Sequence, residues 1–204
     1  MKKGKDKMTF DQLQRYQLAA DLIEEIRTET PLSILDAGGR EGYLAGFLDR
    51  DYIVNLDSSY FPGQRFVTGD ILCLPFRDRS FDVVLCLDVL EHVAPGDRKT
   101  LLDEIGRVSR EYSIVASPFR SEPVEEAESL VNDLSRKLTG KENIFLSQHQ
   151  INGLPELKTV MEWIRDGGCR AVTIPNGYLP RWLLMMALNE YLGRLPDSGE
   201  IIFT

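Results

Sequence analysis

The sequence predicts an α/β fold: a doubly wound, mostly parallel sheet with a helical insertion after the fifth strand. Three observations lead there. Segments such as SILDA and FDVVLCL are apolar without alternation, as strands buried on both faces must be. Stretches of helical periodicity separate those strands. Beyond Pro118 the pattern changes to polar, acid-rich helical segments with few strand signals.

Residues 1–8 (MKKGKDKM) are basic and polar and are expected to form a flexible tail, with 9–204 a single domain. A helix opens at Thr9 or Phe10, and Leu13, Tyr16, Gln17, Ala20, Ile23 and Ile26 share its apolar face. LSILDAGGREGYLAGFL reads as a strand, a glycine turn and a second helix. YIVNLD and RFVTGD are strands that each end in an acid, and FDVVLCL is the fourth strand. An amphipathic helix over 97–108 leads into YSIVASP, the fifth strand. Residues 122–140 form the acid-rich helical insertion, followed by GLPELKTVMEWIRDGG as a helix and CRAVTIP as a sixth strand. PRWLLMMALNEYL is a last helix; either IIFT begins a seventh strand or the chain is a piece of a longer protein.

Composition narrows the function. With 204 residues, 43% hydrophobic and 27% charged, the chain is an ordinary globular one, not a coiled coil or a disordered tract. A net charge of -8 offers no field for a nucleic acid, and none is expected as a partner. Cys73, Cys86 and Cys169 form no CxxC pair, so they are expected to be reduced thiols, mostly buried, in a cytoplasmic protein. No metal is expected, since no ligand spacing is visible in the chain. The longest apolar run, 182–188, is too short to span a bilayer, and the N-terminus lacks a secretory pattern.

The turn Asp36-Ala37-Gly38-Gly39-Arg40-Glu41-Gly42 follows the first strand, where glycines let the backbone approach a ligand. It is neither GxGxxG nor a P-loop. Asp57 closes the second strand about 20 residues later, where a carboxylate can accept both hydroxyls of a ribose. Asp70-Ile71 follows the third strand, where a carboxylate and an amide can meet an adenine edge. Singly, either aspartate could merely cap a turn; their joint spacing favours a nucleoside.

From about Ser33 to Pro118, and most specifically over GDILCLPFRDRSFDVVLCLDVLEHV, the chain resembles the class I S-adenosylmethionine-dependent methyltransferases of the type 11 group. That resemblance implies a Rossmann-like methyltransferase fold with S-adenosyl-L-methionine as cofactor and S-adenosylhomocysteine as product. It implies that Asp36, Ala37, Gly38 and Gly39 line the methionine part and that Asp57 and Ser58 hold the ribose and adenine. Asp70 and Ile71 would recognise the adenine edge, and Leu87 and Asp88 would lie beside the amino acid and methyl groups. Arg40 stands where the family usually has glycine. The C-terminal part, from HQINGLPELK to PRWLLMM, is similar to methyltransferases associated with glycosyltransferases of polysaccharide assembly. A glycosyltransferase partner and a small-molecule or glycan acceptor, methylated at oxygen, follow as expectations.

An oxygen acceptor needs a base, and the chain holds two histidines, His92 and His149. His149 lies in the stretch expected to roof the acceptor; an exposed loop histidine is the plain alternative. His92 is expected near the pocket, more as a packing residue. Glu122, Glu125, Glu126 and Glu128 read as a solvated helix face, and Trp182, Met185, Met186 and Tyr191 as core. A different class of function stays open beside the enzyme: a cofactor-binding pseudo-enzyme that regulates a glycosyltransferase assembly.

Overall fold

The computed structural model describes residues 8–62 and 65–192. Its centre is a five-stranded parallel sheet of β1 (Ser33–Ala37), β2 (Tyr52–Asp57), β3 (Phe66–Thr68), β4 (Phe81–Leu87) and β5 (Ser109–Ala116). The order β3-β2-β1-β4-β5 is doubly wound, with the reversal of direction between β1 and β4. Both faces of the sheet are covered, and this explains the unbroken apolar runs. On one face Ile34, Ile53, Val83 and Leu85 pack against Tyr16, Ala19, Ala20 and Ile23 of α1 (Phe10–Ile26). On the other, Leu35, Val54, Val84 and Cys86 meet Leu101, Leu102 and Ile105 of α2 (Arg98–Val108) and Val160 of α5 (Leu157–Asp166).

The insertion after β5 consists of α3 (Glu122–Thr139) and α4 (Ile144–Asn152). Its chemistry marks the ends of α3: Glu122 and Glu125 lie in the first turn, Arg136 and Lys137 in the last, each complementing the helix dipole. Gly140 ends it in the left-handed region at φ 72°. Asn143 caps α4 by accepting from the Phe145 and Leu146 N–H groups. The described residues end with α6 (Leu179–Leu192), packed against α3.

Several expectations are corrected. After the glycine turn there is only a short 3-10 segment, Tyr43–Gly46, because Gly42 turns left-handed at φ 67° and β2 already begins at Tyr52. No row of helical N–H groups therefore stands at the turn. CRAVTIP forms no strand: Val172 is 86% and Ile174 50% exposed, and β-prone residues make a strand only where a sheet edge receives them. Met8, assigned to the tail, is buried. Cys73 and Cys169 are exposed, and only Cys86 is buried. Trp182, Met185 and Met186 are half-buried and Tyr191 is exposed, so that stripe is an outer layer on α3 rather than core. Residues 1–7 and the IIFT segment lie outside the described residues.

One buried cation ties the insertion to the sheet. Arg98, 5% exposed, donates from Nε to the Val93 carbonyl at 3.2 Å and from Nη2 to the Asn152 carbonyl at 3.3 Å and to that of Gly153. Asn152 Nδ2 in turn donates to the His92 carbonyl at 3.0 Å. Arg98→Met fills the volume but strands these carbonyls, and a loss of about 2–4 kcal/mol is expected. Urea unfolding measures it; a midpoint within error of wild type would show that Arg98 braces nothing.

Candidate active site

The site is built at the carboxyl ends of the strands. Directly after β1, Gly38 adopts φ 93° and its N–H donates to the Leu56 carbonyl at 2.7 Å. A Cβ on Gly38 would lie 2.4 Å from Val89 Cγ2, and one on Gly39 2.2 Å from the Asp36 carboxylate. Close approach of β1 to β4, and of the turn to its own aspartate, is what demands glycine here. Arg40 is exposed, its guanidinium 5.9 Å from the centre of the Phe61 ring, so it leaves the turn toward the surface.

Asp36 lies beneath the turn rather than in the open. It is 1% exposed, and Tyr16 Oη donates to its Oδ2 at 3.1 Å. Burial pushes the Asp36 carboxyl up to about 7, although the Tyr16 hydrogen bond and the Arg15 charge pull the other way. Burial and the nearby Asp36 raise the Tyr16 phenol well above its ordinary value. Ala37 is fully buried beside them.

Along the same edge, Asp57 Oδ1 accepts the Ser59 N–H at 2.8 Å, and the Asp57 carbonyl accepts the Gly69 N–H at 3.0 Å. Asp70 Oδ1 accepts the Leu72 N–H at 2.9 Å. Each aspartate therefore does shape a turn, with Asp57 half-buried and Asp70 exposed at the sheet edge. Ser58 is exposed, and Ile71 packs partly buried against the core.

Leu87 is buried at the end of β4, and Asp88 follows it at φ 49°, an uncommon conformation for a residue other than glycine. Its N–H donates to the Ala116 carbonyl at 2.9 Å, and its carboxylate is ion-paired with Arg15 of α1. Arg15 Nε is buried and has no hydrogen-bond partner. Nothing in the sequence singles out Arg15; its place beside Tyr16 becomes meaningful only once α1 lies across the ends of β1 and β4.

Next to Asp88 the 3-10 segment Leu90–His92 meets α4. The His92 and His149 rings lie 4.8 Å apart, centre to centre. His149 is a buried helical residue, 8% exposed, not a loop histidine, and its Nδ1 is 3.0 Å from Glu128 Oε1. Glu128 is a second correction: Glu122, Glu125 and Glu126 are exposed, whereas Glu128 is 5% exposed on the face that also buries Val131, Asn132 and Ser135. That spacing of three to four residues was the signal available for separating it from its neighbours. Glu91 is 1% exposed, receives a hydrogen bond from Ser117 Oγ at 2.9 Å, and has its carboxyl raised by desolvation. Burial and the neighbouring His149 push His92 down to about 4.

A carboxyl whose folded pKa lies above its unfolded value binds its proton more tightly in the native state. The contribution of Asp36 is therefore fully present below about pH 4 and is lost as pH rises through about 7, with a slope of at most about 1.4 kcal/mol per pH unit. Asp36→Asn keeps an acceptor for Tyr16 and removes the titration. Its urea midpoint is expected to vary less between pH 5 and pH 8 than that of wild type; equal pH dependence in the two proteins would refute the assignment.

The comparisons agree with this geometry. The methyltransferase-domain family model matches residues 35–116, which run from β1 to the end of β5. A protein of Encephalitozoon cuniculi that carries a provisional methyltransferase name is 37% identical over 84 residues, 38% of this chain and 40% of that protein. The match thus spans well under half of that relative's length. The magnesium protoporphyrin IX methyltransferase of Synechocystis PCC 6803, solved with bound S-adenosylhomocysteine, superposes with TM-score 0.59 at 14% identity. That superposition covers 84% of this chain and 83% of the other. A Haloferax volcanii methyltransferase, solved in complex with the Trm112 methyltransferase activator, gives TM-score 0.54 at 21% identity over 78% of this chain and 70% of its own. Residues 35–116 thus match the methyltransferase-domain model, and the sheet has the Rossmann-like fold of the solved methyltransferases.

Proposed function

We propose that the protein is an S-adenosylmethionine-dependent methyltransferase. One observation carries the reading: across the edge, strand order β3-β2-β1-β4 sets Asp70, Asp57 and Gly38-Gly39 in the same sequence as adenine, ribose and the methionine part along the cofactor, with Asp88 on the next strand end beyond them. The residues fit such a ligand. Gly38 and Gly39 let the turn close tightly onto Val89 and Asp36, and the orphaned Arg15 Nε offers a cationic donor to a carboxylate. Asp57 and Ser58 would hold the ribose side, Asp70 and Ile71 the adenine, and Ala37, Leu87 and Asp88 the methionine end. Asp36 would act from beneath, fixing the turn through Tyr16 and Gly39.

When bound, S-adenosyl-L-methionine supplies an electrophilic methyl for in-line displacement. The chain's own task is to align an acceptor, keep water out and deal with its proton. His149 and His92 converge where the 3-10 segment after Asp88 meets α4, and there they would activate an acceptor hydroxyl. The acceptor we propose is an oxygen of a small molecule or glycan. The C-terminal resemblance supports that class, polysaccharide biosynthesis as the setting, a glycosyltransferase as working partner and a cytoplasmic site of action. No helix among the described residues is long and apolar enough to cross a membrane.

S-adenosylhomocysteine is expected to raise the melting temperature and to bind in a calorimeter, with Asp57→Ala costing about 1–3 kcal/mol of that binding. No binding by wild type would refute the reading, and equal affinity in the variant would remove Asp57 from the site. With an identified acceptor, His149→Ala is expected to keep cofactor affinity and lose about 10²–10⁴-fold in single-turnover rate. An unchanged rate would mean that the acceptor needs no activation; cofactor binding without turnover on any acceptor would favour the regulatory module.

A further inference from the structure

The histidine pair has a feature that an acid–base role alone does not account for. His92 Nδ1 and His149 Nε2 are both buried and both lack a hydrogen-bond partner. Glu91, His92 and His149 each bring one possible ligand atom to a group whose atoms all lie within 4.8 Å of one another. A buried polar atom left unpaired is costly, and a cation between the two orphaned imidazole nitrogens and the carboxylate would satisfy both.

We propose that Glu91, His92 and His149 form a binding site for one divalent transition-metal ion of the zinc class. Two imidazoles and one carboxylate are a donor set suited to such an ion, with one or more positions left open. The supporting contacts match those that such sites require. Glu128 Oε1 holds His149 Nδ1 at 3.0 Å, which places the proton on that nitrogen and leaves the Nε2 lone pair for the metal. Ser117 Oγ donates to Glu91 Oε2, orienting the carboxylate. Gln148 hydrogen-bonds the His92 side chain, and Asn152 holds the His92 carbonyl, so the ligands from β4's end and from α4 are fixed to each other. In a tetrahedral site, metal–ligand bonds of about 2.0–2.1 Å set ligand atoms about 3.3–3.4 Å apart. Metal binding would draw the group in by up to about 1.5 Å, with the half-buried His92 ring the one freest to turn.

The metal site stands on these contacts alone. Its use rests on the methyl-transfer reading: an ion there would take the acceptor hydroxyl at its open position and ease the loss of its proton. The histidines would then act as ligands rather than as a free base, and cofactor binding would not depend on the metal.

The test uses the full chain treated with a chelator and dialysed. Zn²⁺ titrated in a calorimeter is expected to bind at one equivalent, in the micromolar range or tighter, and Co²⁺ to give visible d–d absorption. His149→Ala and His92→Ala should each abolish the Co²⁺ absorption, and Glu128→Gln should weaken Zn²⁺ binding about 10–100-fold. Far-UV circular dichroism and the S-adenosylhomocysteine melting shift, read on each variant, separate loss of the site from loss of the fold or of the cofactor cleft. If both alanine variants fail to fold, Glu128→Gln and Glu91→Gln carry the test. Absence of stoichiometric binding by wild type, or binding unchanged in the folded variants, would overturn the metal site and leave the methyltransferase reading untouched.

Discussion

In this protein every strand of the sheet runs the same way, and both faces are covered by helices. Those two conditions force the polar turns that leave the strands to one edge, since neither face has room for an unpaired backbone group. The site then follows from which turns stand next to one another. The reversal between β1 and β4 opens a crevice, and α1 lays Arg15 and Tyr16 across it. What makes the crevice chemical is the tension between burial and charge. Asp36, Glu91, Arg98 and Glu128 are ionisable residues exposed by 5% or less, and each is kept by a specific partner or set of acceptors.

The sheet was largely legible because its signal is local. YIVNLD and FDVVLCL are read as strands from their own residues, and both are found over those residues. The positions of Asp57 at the end of β2, and of Asp70 and Asp88 just past β3 and β4, were equally legible, because a parallel strand hands the residues that follow it to the binding edge. CRAVTIP misled for the opposite reason. Its residues favour extended structure, but a strand is completed by a neighbour, and sequence alone does not say whether the edge of β5 is taken up. The helix after the glycine turn misled through its apolar residues, which serve packing by Leu44 and Leu48 without helical length.

The acceptor side was the least legible part. Glu91-His92 and His149 are far apart in the chain and belong to a 3-10 segment and to a helix that the sequence reading did not resolve. Glu128 sat inside what looked like a solvated acidic run, and its role depends on a single helical face turning inward. Arg15 likewise carries no signature of its own. These residues acquire meaning from tertiary contact, and so the chemistry of the cluster emerged with the structure while the nucleoside end was foreshadowed by spacing.

Arg98 has a consequence for how the chain folds. Its guanidinium belongs to α2, yet two of its three acceptors come from residues 152 and 153, at the far end of the insertion. While the sheet half condenses, burying that cation without those carbonyls would be unfavourable, so α2 cannot settle fully until α4 arrives. The two halves of the chain are thereby made interdependent, and sheet and insertion should be lost together in one cooperative transition rather than in sequence.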